Sequence, residues 1–189
     1  LLVFDLGITF AHYASHRVPL LWRFHAVHHS VRRLIGVNGI LKHPIHQSIE
    51  MAAGTLPLIA MGLPLEVAKA LGFLTAIQLL LQHSNVDYDL GPLRRIIAGA
   101  QLHRLHHRRG PRLGNVNFGL FTSLGDRLLG TLDSKADNHF DSLDLGIAEE
   151  PDYPVEYLAQ LVHPFRSKES RMDAIGSHER QPTSSQDSS

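Results

Sequence analysis

Residues 51–82 read MAAGTLPLIAMGLPLEVAKALGFLTAIQLLLQ, with Glu66 and Lys69 as the charged side chains in the whole stretch. A single helix of this length would run to about 48 Å, against a bilayer hydrocarbon core of about 30 Å. Met61-Gly62-Leu63-Pro64 supplies a break near the middle. The stretch therefore reads as two apolar helices, residues 48–61 and 64–82, forming a hairpin that dips into or crosses a bilayer. A hairpin buried in the core of a soluble bundle is the competing arrangement. The mean hydropathy of −0.06 does not separate the two, because it averages the hairpin against polar flanks.

Those flanks are basic. Arg17, Arg23, Arg32, Arg33 and Lys42 precede the hairpin, and Arg94, Arg95, Arg104, Arg108, Arg109 and Arg112 follow it. Cationic residues at both ends predict that both face the cytoplasmic side, where they suit anionic headgroups. The opening LLVFDLGITFA reads as the tail of an apolar helix, which predicts membrane helices ahead of Leu1 in a longer chain. Residues 1–165 then form one domain, an all-α integral-membrane bundle with a cytosolic histidine-rich cap. Residues 166–189 are rich in Ser, Gln and charge and predict a disordered tail, His178 included.

The histidines lie in the basic flanks. His25-Ala-Val-His28-His29 and His103-Arg-Leu-His106-His107 repeat one pattern, and His12-Tyr-Ala-Ser-His16 adds a pair at i, i+4. Positions i, i+3 and i+4 share a helix face, so each triplet is expected to aim three imidazoles at one point. Imidazole is the commonest metal-ligating side chain, and eight of them exceed the needs of one ion. Buried without partners, so many rings would leave costly unsatisfied nitrogens. A pair of metal ions inside a helical bundle is the economical reading.

Composition removes other classes. The 189 residues carry zero formal net charge, which gives no sign of a nucleic-acid partner, and contain no cysteine. Thiolate zinc sites, iron–sulfur clusters and disulfides are thereby excluded. Inside the histidine boxes stand Tyr-Ala-Ser, Ala-Val and Arg-Leu, so the HExxH general base of zinc hydrolases is missing.

The order of boxes and hairpin resembles the fatty acid hydroxylase / sterol desaturase superfamily of membrane-bound non-haem di-iron oxygenases, from about Asp5 to Arg166. His29-Ser30, Asn38 and His43-Pro44 are similar to the stretch after its second box, and Gln82-His83-Ser84-Asn85-Val86 with Gly91-Pro92-Leu93 to the approach to its last. Asn117-Phe118-Gly119, Asp126-Arg127-Leu128-Leu129-Gly130-Thr131 and His163-Pro164-Phe165-Arg166 resemble its closing signatures. Two positions depart from it. His46 stands where an acidic residue usually follows the His-Pro pair, and Gly125 where an aromatic often precedes the aspartate.

The resemblance implies nine metal ligands: His12, His16, His25, His28, His29, His83, His103, His106 and His107. His83 comes from the resemblance and not from a helical face. For His43 an additional ligand, a residue orienting a ligand and a structural role beside Pro44 all stay open. The implied activity is O2-dependent hydroxylation or desaturation of a membrane lipid (sterol, fatty acyl or related) by two iron ions, with zinc equally suited to imidazole. The chain has no GxGxxG, cluster or haem-attachment motif, so electrons must come from a separate reductase, ferredoxin or cytochrome. Arg104, Arg108 and Arg109 offer either a dock for such a donor or headgroup contacts. A metal-binding membrane protein without catalysis, such as a divalent-ion carrier, is the alternative; ligands flanking the hairpin rather than lying within it favour the enzyme.

Overall fold

The computed structural model describes residues 1–86, 88, 90–110, 114–134 and 144–166. Seven α-helices are described: α1 Leu2–Arg17, α2 Pro19–His29, α3 Pro44–Ala60, α4 Leu65–Gln82, α5 Ala100–His106, α6 Leu124–Leu129 and α7 Tyr157–Val162. Among the described residues there is no strand, and the lone β feature is an antiparallel bridge between Ile97 and Thr122. The all-α expectation holds for these residues. Arg112 of the basic flank, and residues 167–189 of the expected tail with His178, lie outside them.

A proline sets the first helical pair. Val18, which precedes Pro19, is extended at φ −101° and ψ 114°, as the residue before a proline prefers. Pro19 then occupies the first turn of α2, where its missing N–H costs nothing. One residue thus joins α1 to α2, so the HxxxH and the first HxxHH face each other at once. The α3 helix starts four residues before the expected 48, because Pro44 opens it and His43 caps it. Its end at Ala60 and the start of α4 at Leu65 agree with the hairpin read from sequence.

In the unit Leu1–Pro151, α1 packs against α2, α3 and α6, and α4 against α5 and the 3-10 turn Gly36–Gly39. One apolar cluster gathers Phe4 and Ile8 from α1, Leu58 from α3, Leu71 and Leu79 from α4, and Leu120. Much of the deepest interior is imidazole instead. His25, His28, His46, His83, His106 and His107 rank with Phe4 and Phe118 among the largest fully buried side chains. Hydrocarbon, conversely, lies outside. Met61 is 74 % exposed and Phe73 69 %, with Leu56, Ile59, Leu65 and Leu81 also exposed. Among the described residues α4 is the one helix long and apolar enough to cross a membrane, and 22 % of it is buried.

Gly125 explains one departure from the family pattern. A Cβ there would fall within hard contact of the Thr9 side chain, so α6 approaches α1 closely where an aromatic residue would hold it off. The second unit, Asp152–Ser189, contains α7 and the 3-10 turn His163–Phe165. Within it the Tyr153 and His163 rings pack edge to face, 4.4 Å between centroids, and Gln160 Nε2 donates to the Pro154 carbonyl.

Candidate metal centre

All nine histidines named from the sequence converge, in two groups. His12, His16, His25, His29 and His106 form one; His28, His83, His103 and His107 form the other. Within each group the candidate ligand atoms lie within 4.8 Å of one another. The groups adjoin through stacked rings, His29 on His107 at 4.7 Å and His103 on His106 at 5.0 Å between centroids.

The expectation that each triplet aims at one point is corrected here. Each box divides, with the i, i+4 pair going to one group and the i+3 residue to the other. At 3.6 residues per turn, adjacent side chains diverge by about 100°, so His28 and His29 cannot serve one point. Two boxes placed face to face resolve this by exchange. His25 and His29 take His106 from the opposite box, and His103 and His107 take His28.

Proton bookkeeping shows what the nitrogens can bind. His12 Nδ1 lies 2.9 Å from the Phe118 carbonyl, His106 Nδ1 2.9 Å from that of Val116, and His83 Nδ1 2.8 Å from that of Leu79. A carbonyl only accepts, so each Nδ1 carries the proton and each Nε2 presents a bare lone pair. Those lone pairs point at other Nε2 atoms. In the first group His12–His25, His16–His29, His25–His29 and His29–His106 are separated by 3.0–3.1 Å. In the second, His83 Nε2 faces those of His28, His103 and His107 at 3.0, 2.9 and 3.1 Å. One lone pair cannot satisfy three neighbours through hydrogen bonds. A cation does so directly: imidazole nitrogens about 2.1 Å from an ion and at right angles to one another stand about 3.0 Å apart. The donor set fits a metal ion in each group.

Burial prepares the rings for that role. Desolvation is the leading cause in each case, and it holds all nine well below the ordinary histidine pKa, His12 at about 4 and His83 at about 3. Neutral imidazole is the ligating form, so no proton has to be expelled near neutrality.

The closing signature orients two of the candidate ligands, His12 and His106. Asn117 adopts φ 55°, held by its Nδ2 donating to the Leu102 and Asp133 carbonyls and its Oδ1 accepting from Asp133 N–H. Asp126 receives the N–H groups of Phe118 and Gly119 and the Thr131 hydroxyl. This clamp fixes the two carbonyls that receive His12 and His106. The sequence marked these residues by resemblance alone and gave no sign of that role. His16 is oriented separately, its Nδ1 3.3 Å from Asn115 Oδ1. Among the described residues the Nδ1 atoms of His28, His103 and His107 have no hydrogen-bond partner, so polar contacts orient the second group less fully.

His43 belongs to neither group. Its Nδ1 accepts the Ile45 N–H at the start of α3, a capping role of the structural kind left open for it. Arg104, one residue offered to an electron donor, donates to the Ser84 and Val86 carbonyls and ties the segment after His83 to α5. A cavity of about 290 Å³ reaches the first group, with His16, Trp22, His29, Arg108, Asn115 and Glu149 in its wall.

Gly39 supports the second group. A Cβ there would meet the Leu79 carbonyl and stand 2.8 Å from His83 Nδ1, the two atoms whose hydrogen bond aims His83. Gly39→Ala is therefore expected to lower bound metal by about one ion per chain with helicity retained. Metal analysis beside circular dichroism checks it, and full metal content would show that His83 does not depend on this contact.

The family model for fatty acid hydroxylases matches residues 1–131. An ornithine lipid hydroxylase of Rhizobium tropici is 39 % identical over 176 residues, covering 93 % of this chain and 52 % of its own length. The alkylglycerol monooxygenase of Danio rerio is 28 % identical over 154 residues, 82 % of this chain and 34 % of its own. The human enzyme of that name is 27 % identical over 131 residues, covering 69 % and 29 %. The chain thus spans about half the length of the first relative and about a third of the others. No solved structure matches it.

Proposed function

The chain belongs to the fatty acid hydroxylase family, and from that premise we propose that it is the catalytic part of an O2-dependent lipid hydroxylase. The observation that carries this reading is the pair of adjoining all-histidine groups with convergent bare Nε2 lone pairs. Two redox-active ions, iron by this proposal, would supply the oxidising power that no side chain has for an unactivated C–H bond. The chain's own residues would do the rest. The nine imidazoles hold the pair, and the clamp built on Asn117 and Asp126 keeps His12 and His106 aimed. The cavity beside His16 and His29 admits the reacting part of a lipid at the edge of the first group. At about 290 Å³ it holds a segment of a lipid rather than the whole molecule.

The exposed apolar face of α4, with Leu56, Ile59 and Met61 leading into it, supports insertion into a bilayer, since monomeric soluble proteins rarely expose so large an apolar surface. The metal centre then sits on the cytoplasmic side with the basic flanks, and a separate reductase, ferredoxin or cytochrome supplies electrons. The ornithine lipid hydroxylase makes a lipid with an amino-acid head the first substrate to test.

The test uses the full-length protein, expressed in membranes that contain ornithine lipid together with a reductase system. Lipid mass spectrometry should show a product heavier by one oxygen, with matching O2 consumption. A product lighter by two hydrogens would convert the reading to desaturation. Unchanged lipids across ornithine, sterol, glycerol-ether and fatty acyl classes, with metal still bound, would overturn the catalytic reading.

A further inference from the structure

The ring of His25 is held from behind by charge that the sequence does not advertise. Its Nε2 faces the first group, and its Nδ1 lies 2.7 Å from His46 Nε2. Glu50, one turn along α3 from His46, places Oε1 3.2 Å from that same His46 nitrogen. Its other oxygen accepts a 2.7 Å hydrogen bond from Lys42 Nζ. All four are buried: His25 is 0 % exposed, His46 1 %, Glu50 2 % and Lys42 6 %.

A buried ion pair is a poor way to stabilise a fold, because desolvating both charges offsets most of their attraction. Its presence behind a candidate ligand calls for another reason. Imidazoles on metals commonly donate their second N–H to a carboxylate or carbonyl, which fixes the ring and strengthens the bound nitrogen as a donor. Here the N–H of His25 Nδ1 is received by His46 Nε2, which therefore cannot also donate to Glu50. The Glu50 oxygen beside it makes no hydrogen bond among the described residues and acts there by its charge. The departure at His46 thus has a physical counterpart: the acid is displaced by a turn to Glu50, and His46 receives the His25 N–H in its place. Among the described residues no carboxylate or second imidazole receives an Nδ1 of the second group, where His83 donates to the Leu79 carbonyl of its own helix and the Nδ1 atoms of His28, His103 and His107 lack partners.

We propose that Lys42, Glu50 and His46 form a buried positioning cluster behind His25, His46 fixing its ring by a hydrogen bond and Glu50 strengthening it as a donor by charge, which distinguishes the first metal position from the second. The proposal rests on the two-metal reading. His46, Glu50 and Lys42 are positioning residues, acting through His25.

The experiment reads metal rather than turnover. The full-length protein is loaded with iron, challenged with a chelator and followed by metal analysis and Mössbauer spectroscopy. The parent should hold two ions with two distinguishable signals; fewer than two would overturn the two-metal reading itself. His46→Leu should weaken retention of one ion by about tenfold to a hundredfold and shift one signal, leaving the other in place. His46→Gln, whose side-chain oxygen can still accept from His25, should recover part of the loss. Glu50→Gln, nearly the same shape, should move the same signal. If it disturbs folding by stranding Lys42, the double variant Lys42→Met with Glu50→Gln removes both charges and should still move that signal. Two unchanged signals in folded His46→Leu and Glu50→Gln, or equal loss of both ions, would overturn the proposal.

Discussion

Alanine at His106 is expected to abolish lipid oxidation and to halve bound metal. His106 is fully buried, its Nδ1 fixed by the Val116 carbonyl and its Nε2 3.0 Å from that of His29. It is also the candidate ligand that the last box lends to the group formed mainly by α1 and α2. Its loss removes one donor and opens a cavity where water enters, so the first position fails while the second keeps its four nitrogens. His28→Ala should give the mirror result. Since loss of a mere supporting partner costs about tenfold to a hundredfold, activity in either variant should fall by more than about a hundredfold. Lipid mass spectrometry and metal analysis on the same preparations check both halves, with His178→Ala as the unaffected control. Activity surviving in His106→Ala would break the link between these clusters and catalysis. Loss of both ions at once would mean that the two positions form only together.

The exchange of ligands between boxes marks the limit of what the sequence discloses. Spacing of i, i+3 and i+4 identifies eight of the nine converging histidines, because it is a property of a single helix. Which ion each would serve depends on two helices from distant parts of the chain meeting face to face. No local pattern carries that information. The hairpin was legible for a similar reason: its apolar run and central Gly-Leu-Pro are local, and the end of α3 and span of α4 follow them closely. The early start of α3 needed the His43 cap, which can be recognised only once Ile45 N–H is seen to lack a helical partner. His46 was visible as an oddity but not as a partner of His25, because the Lys42–Glu50 pair behind it is assembled by folding. Asp126 and Asn117 likewise appear in the sequence as signature residues. Their work on His12 and His106 passes through backbone carbonyls, which have no sequence signal at all.

Acid should dismantle the protein from its centre. All nine imidazoles have folded pKa values lowered by burial, to about 4 for His12 and about 3 for His83, while the unfolded chain titrates near 6.5. A depressed value means that the unfolded state binds more protons below that point. The stabilising contribution is therefore complete above pH about 6.5 and is lost as pH falls toward the folded values. Each ring adds up to about 1.4 kcal/mol per pH unit to the slope, so even a few of the nine rival a typical total stability of about 5–15 kcal/mol. Asp126 acts the other way, its pKa raised by burial, which favours the folded state at low pH, but it is one group against nine. The metal-stripped chain should accordingly lose its helical signal within about one to two pH units below 6.5. Bound metal competes with protons for the same lone pairs, so the loaded protein should hold to lower pH and release its ions as it unfolds. Circular dichroism and metal content, followed together from pH 7.5 to 4 with and without chelator, measure both midpoints. Identical midpoints in the two samples would show that the buried nitrogens do not hold the metal.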